Sequence, residues 1–169
     1  MQYLIPGRSL FCMVDLSSLI ADLGASMVKT RREAAAALGK SGDPSAVLPL
    51  VQALSDPHPA VRIEAARALG RRDDDRAVPG LIAALADTDP GVRAGAVAAL
   101  GRLKDKRAVL PLAACLADRD DRIRAGAAEV LGKLGDRRAA TALTAATQDP
   151  FEEVRDAATR ALGRLHKAR

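Results

Sequence analysis

Apolar residues recur along this chain at a helical spacing and also at a longer period of 31 residues. Near the start, one apolar stripe falls at i, i+3, i+4 and i+7, the spacing of one face of an α-helix: Leu16, Leu19, Ile20 and Leu23. A Leu-Gly pair returns at the constant step, beginning at residues 38, 69, 100, 131 and 162. A fixed period of this length predicts an array of stacked structural repeats.

Each repeat is predicted to contain two helices, a first helix A and a second helix B. Helix A is expected at about 15–24, 45–55, 76–86, 107–117 and 138–148. Helix B is expected at about 28–39, 59–70, 90–101, 121–132 and 152–165. One helix pair cannot bury its apolar stripe alone, so the pairs must stack on each other. The expected fold class is therefore all-α, a right-handed α-solenoid of about five two-helix repeats.

The domain prediction is a single repeat domain over residues 15–169, preceded by an irregular tail over residues 1–14. The repeats are expected at about 15–44, 45–75, 76–106, 107–137 and 138–169. The last helix A has Ala140, Thr144 and Thr147 where earlier copies are apolar, which gives that end a polar cap. The first helix A keeps its stripe, so either residues 1–14 cover it or it is a contact surface, the end through which a homodimer would form. Met13 is an alternative start, because the repeat pattern begins directly after it.

Composition narrows the function classes. Hydrophobic residues make up 49% of the chain, but aromatic residues make up only 2%. Such a composition suits closely packed helices and is a poor source of aromatic-lined ligand pockets. The sequence has no long apolar run and no basic cluster before its short N-terminal apolar patch, so we expect no membrane span, no secretory signal and a cytoplasmic protein. The net charge of +5 permits an anionic partner without requiring one.

The repeated phrase resembles a known family. Its consensus reads D-x-x-x-x-V-R-x-x-A-x-x-A-L-G, and it is followed in the better copies by D-x-R-A-V-x-P-L, as in Asp105 to Leu112. This pattern is similar to the short HEAT-like repeats of the phycobilisome (bilin) lyase type, over residues 15–169. The resemblance implies an α-solenoid with binding and scaffolding roles, and in a few members an enzyme. HEAT-like hydroxylases of the deoxyhypusine type bind iron through repeated His-Glu pairs. Here His58 precedes Pro59 and His166 precedes Lys167, so the sequence excludes that activity.

Asp and Arg recur six residues apart in four repeats: Asp56/Arg62, Asp87/Arg93, Asp118/Arg124 and Asp149/Arg155. The resemblance implies that these residues form a structural ladder within and between repeats, and the five N–H donors of arginine suit that role. Repeat one has Ala25 in place of the Asp, so Arg31 is expected to be loose or differently paired. A second Asp series precedes helix A and suits helix capping: Asp43, Asp74, Asp105 and Asp136.

A basic residue directly follows every Leu-Gly pair: Lys40, Arg71, Arg102, Lys133 and Arg164. A second basic series comprises Arg76, Arg107 and Arg138. The helix dipole alone accounts for cations at the end of helix B, but stacked repeats would also align them into a stripe able to follow phosphates. Gly95 and Gly126 stand where earlier copies have Glu33 and Glu64. The small residues indicate either close helix packing or a shallow furrow for a partner helix or peptide.

The leading functional hypothesis is a non-enzymatic scaffold that binds a protein partner on the concave face formed by the B helices. The candidate contacts are Glu64, Arg67, Arg71, Gly95, Arg102, Gly126, Lys133 and Arg160. One alternative is a bilin lyase or isomerase subunit, or an assembly chaperone, as the resemblance implies. Another is weak nucleic-acid binding through the basic stripe, which lacks interleaved aromatic residues. We assign no catalytic residue, metal ligand, cofactor or membrane partner.

Overall fold

A computed structural model describes residues 15–167, and in this range the chain forms ten α-helices and no strand. The A helices are α1 (Leu16–Asp22), α3 (Val47–Ala53), α5 (Val78–Ala84), α7 (Val109–Ala114) and α9 (Ala140–Ala146). The B helices are α2 (Val28–Lys40), α4 (Pro59–Leu69), α6 (Pro90–Leu103), α8 (Asp121–Leu134) and α10 (Glu152–Lys167). The predicted α-solenoid of five helix pairs is confirmed. The predictions about the tail at 1–14, its covering of the N-terminal end and a start at Met13 lie outside the described residues.

The A helices are shorter than predicted because each A segment is tightened at its ends. Short 3₁₀ turns precede the later A helices, at Pro44–Ala46, Asp75–Ala77, Lys106–Ala108 and Arg137–Ala139, and one follows α7 at Cys115–Ala117. An Asp caps each preceding turn; the Asp43 carboxylate, for example, accepts from Ser45 N at 2.9 Å. At the other end of α3, the N–H groups of Leu54 and Ser55 bond to carbonyls three residues back. Such i→i−3 bonds give a tighter helix than the α form.

The leucines of the A helices and the B helices form one continuous core. Each B helix packs against its own A helix and against the B helix of the next repeat. Eight of these leucines are fully buried: Leu38, Leu50, Leu69, Leu81, Leu100, Leu112, Leu131 and Leu143. Leu16, Leu19 and Ile20 of α1 and its C-cap residue Leu23 are only half-buried against this core. The first A helix is thus the one whose apolar stripe the described residues leave partly uncovered.

In the first four repeats, the glycine of the Leu-Gly pair packs closely against the next B helix. A Cβ added to Gly132 would lie 2.7 Å from Ala161 Cα, and one added to Gly70 would lie 2.7 Å from Ala99 Cα. Both distances are well inside van der Waals contact, so a larger residue would push the helices apart. Gly163 occupies the same position in the last helix, where an added Cβ would meet nothing within 4 Å. Glycine is therefore needed where a further B helix stacks on it.

No helix within residues 15–167 has both the length and the apolar character that spanning a bilayer requires.

Candidate functional site

Arginines on the B helices tie each repeat to the next. The Arg62 Nε and Nη2 atoms donate to the two carboxylate oxygens of Asp87, both at 2.7 Å, and Arg62 Nη1 donates to the Asp56 carbonyl at 2.9 Å. The same paired contacts join Arg93 to Asp118 and Arg124 to Asp149. The ion pairs therefore link residues 25 apart in successive repeats. The Asp six residues before each Arg contributes only its main-chain carbonyl.

The expectation for Arg31 is wrong, because its carboxylate partner belongs to the following repeat. Arg31 Nε donates to Asp56 at 2.6 Å, and Arg31 Nη1 reaches the Ala25 and Ser26 carbonyls. The missing Asp at position 25 therefore costs Arg31 nothing. The end of the ladder lies instead at Arg155, which donates to the Asp149 and Pro150 carbonyls and has no carboxylate partner within residues 15–167.

The Asp–Arg ladder is buried, and hydrogen bonds from its arginines stabilise the charged form of its aspartates. The side chains of Arg93 and Asp118 are 5% and 10% exposed. Burial raises the pKa of Asp118, but hydrogen bonds from Arg93 and the Asp120 N–H outweigh it and leave the pKa below the ordinary value. Among the described residues, no buried side-chain nitrogen or oxygen lacks a hydrogen-bond partner. A fully satisfied network of this kind fixes the register of the repeats and offers no free base.

The second basic series lies at the turns before the A helices, where its charges are already paired. Arg138 binds Asp136 at 2.8 Å and lowers its pKa to about 2. Its Nη2 atom also donates to the Lys106 carbonyl of the previous repeat at 3.0 Å. Arg76 and Arg107 make the equivalent contacts. These arginines are links between turns and are not a free stripe of charge.

Acid is expected to unfold the protein through these aspartates. Seven have a pKa below the ordinary value: Asp56, Asp74, Asp87, Asp105, Asp118, Asp136 and Asp149. A lowered folded-state pKa stabilises the fold above the unfolded value of about 3.9, and this contribution is lost as the pH falls through the folded-state pKa. Urea unfolding followed by circular dichroism should give a constant free energy of unfolding from about pH 7 to 5 and a steep fall between about pH 5 and 2. A flat profile down to pH 3 would contradict this assignment.

Two grooves lie side by side on the face formed by the B helices. The groove between α4 and α6 has a volume of about 400 Å³, and the groove between α6 and α8 has a volume of about 290 Å³. They share Ala94, Ala98 and Arg102 on α6. The shared residues make the two grooves one continuous surface across three helices, which we call the B-face groove.

The structure brings six of the eight predicted contact residues to the B-face groove: Arg67, Arg71, Gly95, Arg102, Gly126 and Lys133. Glu64 does not line it, but its carboxylate lies 2.9 Å from Arg71 Nη2. Arg160 lies apart on α10, where it faces Asp156 at 3.9 Å. These placements separate a central cluster from one residue, Arg160, that the helical pattern had grouped with it.

Arg122 also lines the B-face groove, and the sequence pattern missed it. It lies in the first turn of α8, outside both recurring basic series. The other copies have Lys29, Ala60, Gly91 and Glu153 at this position. That disagreement between repeats was the available signal, since a residue needed only for the fold tends to recur in every copy.

Helix packing does not require glycine at positions 95 and 126, which line the B-face groove. A Cβ added to Gly126 would lie 3.7 Å from Val97 Cγ1, and one added to Gly95 would lie 3.4 Å from Ala66 Cβ. Both distances are ordinary contacts, unlike those at Gly70 and Gly132. The structure therefore favours the furrow over close packing as the interpretation of Gly95 and Gly126.

Within residues 15–167, neither a metal site nor a reactive cysteine or histidine is evident. Residues 15–167 contain no group of three or more His, Cys, Asp and Glu side chains placed to hold a metal ion. Cys115 is buried, and burial raises the pKa of its thiol to about 11. A thiol of this kind is a poor nucleophile at neutral pH. His58 serves as the N-cap of α4, accepting from Ala60 N at 3.2 Å.

Comparisons with known proteins agree with this architecture. A family model described as HEAT repeats matches residues 16–93 and 78–163. A chain from the complex of CpcE and CpcF of phycocyanin lyase from Nostoc sp. PCC7120 is 30% identical, with a TM-score of 0.78 over 96% of this chain and 71% of that chain. No curated protein matches the sequence.

Two engineered structures are similar at the level of fold alone. One engineered protein is 23% identical, with a TM-score of 0.66 over 90% of this chain and 79% of that chain. A designed armadillo repeat protein in complex with the peptide (KR)4 is 21% identical, with a TM-score of 0.64 over 89% of this chain and 81% of that chain.

Proposed function

This chain belongs to the HEAT-repeat family, in the form typical of the phycobilisome-lyase type, and from that premise we propose that it is a non-enzymatic scaffold that binds a protein partner across α4, α6 and α8. The observation that supports this proposal is the B-face groove, an open furrow with arginines along it and small residues inside it. Stacked repeats characteristically use an extended face of this kind to bind another protein.

The chemistry of the B-face groove suits recognition better than catalysis. The carboxylates whose pKa is lowered are held by arginines in the ladder and the turns, away from the furrow. A general base would need a carboxylate or imidazole within reach of a substrate in a cleft. Arginine, in contrast, is enriched in the central contacts of protein interfaces, where it combines charge with a flat stacking surface.

Photo-cross-linking in cells of the native host tests the proposal. A benzophenone amino acid replaces Ala98, which is exposed in the B-face groove, or Leu110, which is 57% exposed at the start of α7. We expect a covalent adduct with a protein partner through position 98 and none through position 110. Adducts through position 110 alone, or through neither position, would contradict a partner on the B helices.

A second candidate function is a subunit of a lyase-type complex, and the observation that favours it is the similarity to a chain of the CpcE–CpcF complex. The two functions differ in whether a pigment is handled. Co-expression with a bilin and an acceptor protein distinguishes them through visible absorbance. A coloured, covalently modified acceptor that depends on this chain supports the lyase-type subunit, and a colourless acceptor supports the scaffold alone.

A further inference from the structure

Resting on the proposed function, we infer that the partner presents an extended acidic segment, and that Arg102 binds one of its carboxylates at the centre of the B-face groove. The distribution of charge, the small residues of the furrow and the spacing of its cations support this chemistry.

The charge of the B-face groove is strongly positive. Five cationic residues line it: Arg67, Arg71, Arg102, Arg122 and Lys133. Among the described residues that line it, Glu129 is the one carboxylate, and it pairs with Lys133 at 3.1 Å. A partner segment that complements this groove must therefore carry negative charge.

Of the five cations in the groove, Arg102 and Arg122 are the two whose side chains have no partner within residues 15–167. Arg71 and Arg67 lie 2.9 Å and 3.9 Å from Glu64, so their charges are partly balanced. The guanidinium groups of Arg102 and Arg122 make no hydrogen bond or ion pair with any residue in 15–167. Arg102 belongs to both halves of the furrow, and a guanidinium can bind a carboxylate through two parallel N–H donors.

The shape of the furrow admits a main chain. Ala94 and Ala98 are exposed along α6, and Gly95 and Gly126 carry no side chain. At the corresponding position of the first repeat, Glu33 is exposed and would repel an acidic segment. The small residues and the free cations of the furrow thus lie together on α6 and α8.

The spacing of the cations favours carboxylates three residues apart. Arg71, Arg102 and Lys133 occupy one repeat position in successive repeats. Packed helices lie about 8–10 Å apart, and an extended chain in the polyproline II conformation has three residues per turn and rises about 3.1 Å per residue. Three residues of an extended segment therefore span one repeat, so acidic side chains at every third position face these cations in turn.

A nucleic acid fits this surface less well. Its phosphates would meet Glu129 within the furrow and Glu64 beside it. The residues that line the grooves include no aromatic side chain on which bases could stack. An acidic peptide can place small or neutral residues at those points, whereas a phosphate backbone is uniformly charged.

Fluorescence anisotropy with the full chain tests this inference. The probe is a labelled peptide of four Glu-Ser-Thr repeats, and the comparison probes are four Lys-Ser-Thr repeats and a twelve-nucleotide oligothymidine. We expect the acidic peptide alone to bind, with Arg102→Gln weakening it about tenfold, the effect of losing one charge-assisted hydrogen bond. Arg137→Gln is the matched control, since it removes the same charge from an exposed turn away from the grooves and should leave affinity unchanged.

Three outcomes would overturn the inference. They are no binding of the acidic peptide, equal weakening by Arg102→Gln and Arg137→Gln, or tighter binding of the oligonucleotide with the same dependence on Arg102. If position 98 cross-links a partner while the acidic peptide fails to bind, the scaffold proposal stands and only the chemistry assigned to the partner is wrong.

Discussion

Replacing Asp118 by alanine is expected to lower the free energy of unfolding by about 3–5 kcal/mol, the usual cost of leaving a buried charge without its partner. The Arg93 guanidinium, 5% exposed, donates to both Asp118 oxygens at 2.8 and 2.9 Å. The same carboxylate accepts from Asp120 N at 2.9 Å, so one substitution removes three hydrogen bonds. Urea unfolding followed by circular dichroism measures the loss.

Two further variants separate the buried pair from surface charge. Asp75→Ala removes a carboxylate that is 80% exposed and 3.5 Å from Arg107, so its cost should stay below about 1 kcal/mol. The double variant Arg93→Met with Asp118→Leu should recover much of the stability, because it removes both charges from the buried site together. Equal losses in Asp118→Ala and Asp75→Ala would show that the ladder does not stabilise the stack.

Gly132→Ala and Gly163→Ala are expected to change stability in opposite directions although they alter the same repeat position. The new Cβ of Gly132→Ala would lie 2.7 Å from Ala161 Cα, a main-chain atom that cannot move without shifting α10. Overpacking of this kind costs about 1–3 kcal/mol. Gly163→Ala meets nothing within 4 Å inside α10 and should stabilise by about 0.5–1 kcal/mol, the difference in helix propensity.

The melting temperature shows this difference directly. For a domain of this size, about 1 kcal/mol corresponds to roughly 2–4 °C. Gly132→Ala should therefore melt below the wild-type chain and Gly163→Ala above it. A rise in melting temperature for both variants would mean that the recurring glycine is not a point of contact between B helices.

The period made most of the fold predictable from sequence, but it could not show which copies of a residue meet. Asp87 lies six residues before Arg93 and 25 residues after Arg62. Both separations recur at every step of a 31-residue repeat, so the pattern cannot decide between them. Only the stacking of repeats shows that the pair is Arg62 with Asp87. The wrong expectation for Arg31 followed from choosing the nearer Asp.

Residues that recur in every copy indicated the fold, whereas residues that differ between copies indicated the groove. The recurring glycine was visible in all five copies, but its contact with the next B helix requires the interhelical distance, as at Gly70 and Ala99. The positions where copies differ, Gly95 and Gly126, were the ones that lie in the furrow. Arg122 differs in the same way, yet a single cation early in a helix has an ordinary explanation as a solvated side chain.

Binding of the partner in the B-face groove is tested most directly by the yield of the position-98 adduct in the double variant Gly95→Glu with Gly126→Glu. An added Cβ makes only ordinary contacts at both glycines, and Glu33 and Glu64 already occupy this position in the first two repeats. The fold should therefore persist, as unfolding by urea can verify. We predict that the adduct falls at least tenfold while the free energy of unfolding stays within about 1 kcal/mol of wild type. A well-folded double variant that forms the adduct in full yield would show that the partner does not bind in the B-face groove.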